Sequence, residues 1–281
     1  MSPPAPKTVP PARRGVPPHG GIPPAVFAAI NDRLDELERE NRVRILLAVE
    51  SGSRAWGFPS PDSDFDVRFV YAHDLGWYLS LDSRRDVIEL PIEGDLDING
   101  WDIKKALSLL IKPNPVLLEW LQSPIAYRAD EGVKNQLMAL ANRTAHRRPL
   151  MHHYLHHGRA QFRDHIDGRD TVSLKRYFYV VRPALALRWI RQHPDRLVPM
   201  ALPELLSGLD MPGHAVSAIE DLISRKTRSR ELGEGKRSRV LDELVLTEFE
   251  LAERSAPERT PIPLDLLDGA NSLFRELVRA P

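Results

Sequence analysis

Asp64 and Asp66, two residues apart, and a Gly52-Ser53 pair about ten residues upstream are the side chains best placed to do chemistry. In an extended strand, residues two apart leave the same face, so the two carboxylates stand side by side while Phe65 and Val67 point into a core. Like charges so close repel, and a fold keeps them readily only with a cation between them. Gly52-Ser53 closes an apolar run, Ile45 to Val49, and reads as a strand passing into a helix. Backbone N–H groups at such a bend can receive an anion. Gly52 permits close approach, Ser53 can bond a phosphate, and Arg54 adds positive charge. Phosphate cradle plus paired carboxylates is the equipment of metal-assisted phosphoryl or nucleotidyl transfer. Either half alone is equally at home in an ordinary strand–turn–strand; the two together, in this order, carry the reading.

A third acid is available. Leu96–Trp101 alternates as a strand does, and Asp97 is out of phase with Leu96 and Ile98, so it can face the side of Asp64 and Asp66 from a neighbouring strand. Asp95 falls in the Glu93-Gly94-Asp95 turn, and Asp102 suits the N-cap of a helix over 103–112. Lys104 and Lys105 lie in that helix's first turn, where cations oppose the dipole. Lys105 therefore either faces a substrate phosphate or pairs with a surface acid.

Gly52-Ser53, Arg54, Gly57 and Asp64-x-Asp66 resemble the pattern of the nucleotidyltransferase superfamily named for DNA polymerase beta. Residues 96–107 (LDINGWDIKKAL), 114–124 (NPVLLEWLQSP) and 174–190 (LKRYFYVVRPALALRWI) resemble a bacterial and phage branch of predicted nucleotidyltransferases linked in part with RNA repair. The resemblance runs from about residue 25 onward. It implies an α+β fold: an N-terminal polymerase-beta-like domain, with a mixed sheet and flanking helices, then an all-helical C-terminal domain. It implies an enzyme that moves NMP from an NTP, ATP or CTP first, to an acceptor hydroxyl with release of pyrophosphate. Asp64, Asp66 and Asp97 would hold two Mg²⁺ ions, with Mn²⁺ as a substitute. RNA or tRNA is the expected acceptor. The alternatives are a protein or small molecule, as in antitoxin- or antibiotic-modifying relatives, or a non-catalytic nucleotide-binding scaffold.

The surrounding elements must position these groups. The chain has 281 residues, equal Lys+Arg and Asp+Glu counts of 39, and no cysteine, which excludes disulfides and thiolate metal sites. No apolar run approaches the ~20 residues needed to span a bilayer, so a cytoplasmic protein is expected. Residues 1–24 are proline-rich and read as a disordered tail, with Lys7, Arg13 and Arg14 as a conceivable binding arm. Apolar residues at three- and four-residue spacing (Val26, Ile30, Leu34, Leu37) predict a helix over 25–41 leading into the first strand. Residues 75–81 read as a short helix, 86–90 as a strand and 116–121 as a helix.

Composition shifts near residue 143, which divides the chain into a transferase domain, 25–142, and a helical domain, 143–281. Residues 143–191 carry 11 Lys/Arg against three Asp, a net of +8, which suits a polyanion such as RNA. His152, His153, His156 and His157 form two i, i+4 pairs, a spacing open to zinc but more often a matter of packing. Lys175, Tyr179 and Arg182 share one helix face and are the candidates for contacts to the nucleotide; Pro183 lies within that helix. Helices are predicted near 215–226, 238–255 and 263–278. Lys226, Arg228, Arg230, Lys236 and Arg237 read as surface charges around a GEGK loop that lacks P-loop spacing.

Overall fold

The computed structural model describes residues 21–144, 147–228, 233–255 and 262–279. The proline-rich tail lies outside these up to residue 20. Of its remainder, Ile22 packs into the core.

The N-terminal half runs α1 (Pro24–Asn41), β1 (Val43–Glu50), α2 (Gly52–Ala55), β2 (Phe65–His73), α3 (Leu75–Tyr78), β3 (Val87–Glu89), β4 (Leu96–Asp102), α4 (Ile103–Leu110), α5 (Pro115–Leu121), β5 (Ala126–Ala129) and α6 (Glu131–Thr144). The C-terminal half follows as α7 (Arg147–His165), β6 (Thr171–Ser173), α8 (Leu174–Gln192), α9 (Leu202–Ser207), α10 (Gly213–Arg228), β7 (Glu234–Lys236), α11 (Arg239–Arg254) and α12 (Leu264–Arg279). Five strands form a mixed sheet in the order β3-β4-β2-β1-β5, with β2 and β4 parallel and the other neighbours antiparallel. The C-terminal half is helical apart from the small ribbon β6–β7.

The sheet is covered on both faces. Ile30, Leu34 and Leu37 bury the inner stripe of α1 against Phe65, Val67, Phe69 and Tyr71, the odd-numbered side of β2. Gly100 on β4 stands opposite Phe69, where a Cβ would fall 2.3 Å from the ring, so only glycine lets the strands carry that aromatic. The larger core starts at Leu47, Val49 and Val70 on the other face and continues without a break into α7, α8, α11 and α12. The stretch 114–124 is a brace between these parts. Asn114 caps α5, Trp120 packs on Trp101 at 4.1 Å, and Gln122 donates to the Val198 carbonyl.

A candidate active site at the end of the sheet

β1 leaves the sheet at Ser51, and Gly52 turns the chain with φ +62°, a left-handed value that costs any other residue about 1–2 kcal/mol. A Cβ on Gly52 would sit 2.0 Å from Asp66 Oδ2, so the bend and the carboxylate are in direct contact. The helix after it is one turn of four residues, and little macrodipole backs its N–H groups. Asp64 precedes β2, which begins at Phe65 rather than at Asp64. Asp66 pairs in register with Asp97 across the parallel β2–β4 ladder.

A cation does stand between two of the acids, and it belongs to the protein. Arg68 Nη2 donates to Asp66 Oδ1 at 3.2 Å and to Asp97 Oδ2 at 2.6 Å. Burial pushes the Asp66 carboxyl above its ordinary range. Arg68 pulls it back, and Asp97 and Asp64 push it up further. Among the described residues no three acids or histidines are grouped closely enough to hold a metal ion as they stand. The donors still suit a hard divalent ion. They are carboxylate oxygens at one edge of the β2–β4 ladder, and one pair already shares a cation.

A cavity of about 720 Å³ opens over this floor. Ser51, Gly52, Ser53, Asp64 and Asp66 line one side; Lys175, Phe178 and Tyr179 from α8 line the other, joined by Lys226 from α10 and by Gly233 and Glu234 at the start of β7. Ser53, Ser60 and Ser63 form a hydroxyl cluster along the loop before β2: Ser53 Oγ donates to Ser63 Oγ at 3.0 Å, and the Ser60 and Ser63 hydroxyls are 2.9 Å apart. Trp56 meets the Tyr179 ring edge-on at 6.0 Å.

The structure brings Gly52, Ser53, Asp64, Asp66, Lys175 and Tyr179 to the cavity. Asp97 stays on the far side of Arg68 and does not line it. Three proposed phosphate contacts lie elsewhere. Arg54 spends its guanidinium on the Ser63 and Asp64 carbonyls and lies 4.0 Å over Phe65, so it holds the loop in shape. Lys105 pairs with Asp86 at 3.1 Å beside a different cleft, the surface-acid alternative. Arg182 is buried, bonded to Glu119 at 2.8 Å and to the Met200 carbonyl, with Trp56 over its guanidinium. That ion pair also explains the glutamate of the 114–124 stretch.

Two residues of the site escape a sequence reading. Lys226 is no surface charge: it is buried, its ammonium donates to Ser60 Oγ at 3.3 Å, and its near charged neighbours are Lys175 and Asp62. Burial, reinforced by Lys175, lowers its pKa. Glu50 is fully buried behind Asp66. Its Oε1 accepts the Asp66 N–H at 3.1 Å and its Oε2 accepts the Tyr127 hydroxyl at 2.5 Å. The Asp66 carbonyl still accepts from Ser51 N at 2.8 Å, so the Glu50 carboxylate takes up the N–H of Asp66 as β1 bends away into the cradle. Burial drives Glu50 up to about 7.

About half of the net charge of the positive segment 143–191 is offset within the fold by four acids from outside it. Arg143 pairs with Asp265, Arg159 with Glu253, Arg182 with Glu119, and Arg188 and Arg191 with Glu248. His153 and His157 face each other with ring centroids 6.1 Å apart, and burial lowers both pKa values; no metal-capable group forms there among the described residues.

A mixed sheet with flanking helices, a Gly-Ser bend against an Asp-x-Asp strand and a helical half closing the cavity define a polymerase-beta-like nucleotidyltransferase fold. A sequence profile of the RNA repair pathway DNA polymerase beta family, RlaP, matches residues 26–276, and the chain belongs to that family. It is also 40% identical over 249 residues to YcgL of Bacillus subtilis (strain 168), described as uncharacterized, covering 89% of this chain and 95% of that protein. Among the described residues no helix is long and apolar enough to cross a membrane.

Proposed function

We propose that the protein transfers a nucleoside monophosphate from an NTP to a hydroxyl of RNA, releasing pyrophosphate. The observation that carries this is the cavity itself: Gly52, Ser53, Asp64 and Asp66 on one wall face Lys175, Lys226 and Tyr179 on the other. Ser53 and the two ammonium groups bind the triphosphate, and Tyr179 with Trp56 offers a wall for the base. Asp64, Asp66 and Asp97 would hold Mg²⁺, which when bound neutralises charge on the reacting phosphate and lowers the pKa of the attacking hydroxyl. Glu50 fixes the backbone of Asp66 from behind. The acceptor oxygen forms the new bond to the α-phosphorus as the bond to the pyrophosphate oxygen breaks.

RNA as acceptor is supported by the family's RNA-repair description and by the positive charge at this end of α8, where Lys175 lines the cavity and Arg176 lies over the Tyr179 ring. The test is to supply each α-labelled NTP with Mg²⁺ and either total RNA or cellular protein. Label is expected in RNA, and Asp64→Asn or Asp66→Asn should each lower transfer ~10²–10³-fold. Near-full activity in those variants removes the mechanism, and label in protein moves the acceptor to that class.

A further inference from the structure

Arg68 lies two residues after Asp66 on β2, so both side chains leave the same face of the strand. Its guanidinium is held by four bonds. Nη1 donates to the Val67 and Asp97 carbonyls at 3.0 and 2.8 Å, and Nη2 donates to the Asp66 and Asp97 carboxylates. The side chain is only 15% exposed. An arginine cannot shed its proton here, so the charge is permanent. A surface arginine would swing among partners; this one is fixed by main-chain carbonyls of two adjacent strands. Its Nη2 touches one oxygen from each carboxylate, the position that an ion shared by Asp66 and Asp97 would need.

We infer that Arg68 is a tethered counter-cation of the acidic site. It holds Asp66 and Asp97 together when no metal is present, and a divalent ion bridging those two acids binds only by displacing Nη2. The Nη1 bonds to main-chain carbonyls keep the displaced group at hand, so the exchange is reversible. Asp64 is not among the groups Arg68 bonds and would hold an ion without that competition. Metal loading is therefore graded by Arg68 rather than by the number of acids. The inference rests on the nucleotidyl-transfer reading only in taking the acids as metal ligands.

The test reads metal, not turnover. Mn²⁺ is titrated into the full chain without nucleotide, and the free ion is followed by electron paramagnetic resonance, for wild type, Arg68→Met and Arg68→Lys. Removing the tethered charge should tighten Mn²⁺ binding at least tenfold in Arg68→Met. Arg68→Lys, which keeps a charge but loses the fork, should tighten it at least threefold and decides the matter if the Met variant does not fold. Unchanged or weaker binding in a folded variant overturns the role of Arg68 and leaves the transfer reading standing. Absence of Mn²⁺ binding in every protein, with or without NTP, removes the metal site and both readings with it.

Discussion

Replacing Gly52 by alanine separates the stability of the cradle from its chemistry. At φ +62° an L-residue pays about 1–2 kcal/mol, and the new Cβ would lie 2.0 Å from Asp66 Oδ2 and 2.8 Å from its Cγ. The obstructing atoms are the end of a rotatable side chain, so Asp66 can turn away for a further ~0.5–1.5 kcal/mol of off-rotamer cost. The total, about 1.5–3.5 kcal/mol, should lower the melting temperature by on the order of 5–10 °C and leave the protein folded at 25 °C. The turned carboxylate no longer serves the reacting phosphate, and misplacement by about 1 Å is enough for a 10²-fold loss. Transfer of label from NTP is therefore expected to fall at least ~100-fold in a folded protein. In an Asp66→Ala background the two close atoms are gone and only the Cβ of residue 66 remains, at 3.4 Å, an ordinary contact, so the stability cost of Gly52→Ala should shrink to the backbone part alone, about 1–2 kcal/mol. A variant that keeps more than a tenth of wild-type activity, or a cost that does not shrink in the double mutant, refutes the reasoning.

Glu50 should give the apoprotein an unusual pH dependence. Its folded pKa of about 7 lies above the ordinary 4.5, so the folded state holds the proton more tightly than the unfolded chain. Its contribution is full below pH 4.5 and is lost as pH rises through about 7, by roughly 3 kcal/mol. Thermal melts in EDTA should thus show Glu50→Gln gaining on wild type at pH 8 and not at pH 4.5; parallel profiles would contradict this. Arg182→Met leaves Glu119 buried without its partner and should cost about 3–5 kcal/mol while the KM for NTP in the surviving folded protein stays unchanged, as read by denaturant melts and initial rates. Lys226→Met should raise the KM for NTP at least tenfold with little loss of stability, since it removes a buried charge that sits beside Lys175; an unchanged KM would exclude it from the triphosphate site.

The parts legible in the sequence are those whose logic is local. Gly52-Ser53 and Asp64-x-Asp66 fall within one short stretch, so strand period and bend chemistry predict their meeting. Asp102 reads as a cap from its place before Ile103, and its Oδ1 does accept the Lys104 N–H. The helix at 24–41 follows from a 3.6-residue stripe. What stayed hidden depends on pairing across the chain. Arg68 finds Asp97 29 residues away, Glu50 finds Tyr127 77 away, and Lys226 finds Ser60 166 away. The charge of 143–191 misleads for the same reason: Glu119, Glu248, Glu253 and Asp265, which offset about half of it, lie outside the segment. Arg182 shares its helix face with Lys175 and Tyr179, but the turn it sits on faces Glu119 under Trp56 rather than the cavity. Strands of three residues such as β6 and β7 have no periodicity to read.

The most direct measurement is a crystal of the wild-type protein soaked with Mn²⁺ and a non-hydrolysable NTP, with anomalous scattering used to locate the metal. The expected map has manganese on Asp64 and Asp66, phosphates against Ser53, Lys175 and Lys226, and the base beside Tyr179. Manganese or nucleotide bound away from the Gly52 bend, or a cavity that stays empty at saturating NTP, would contradict the assignment of this site.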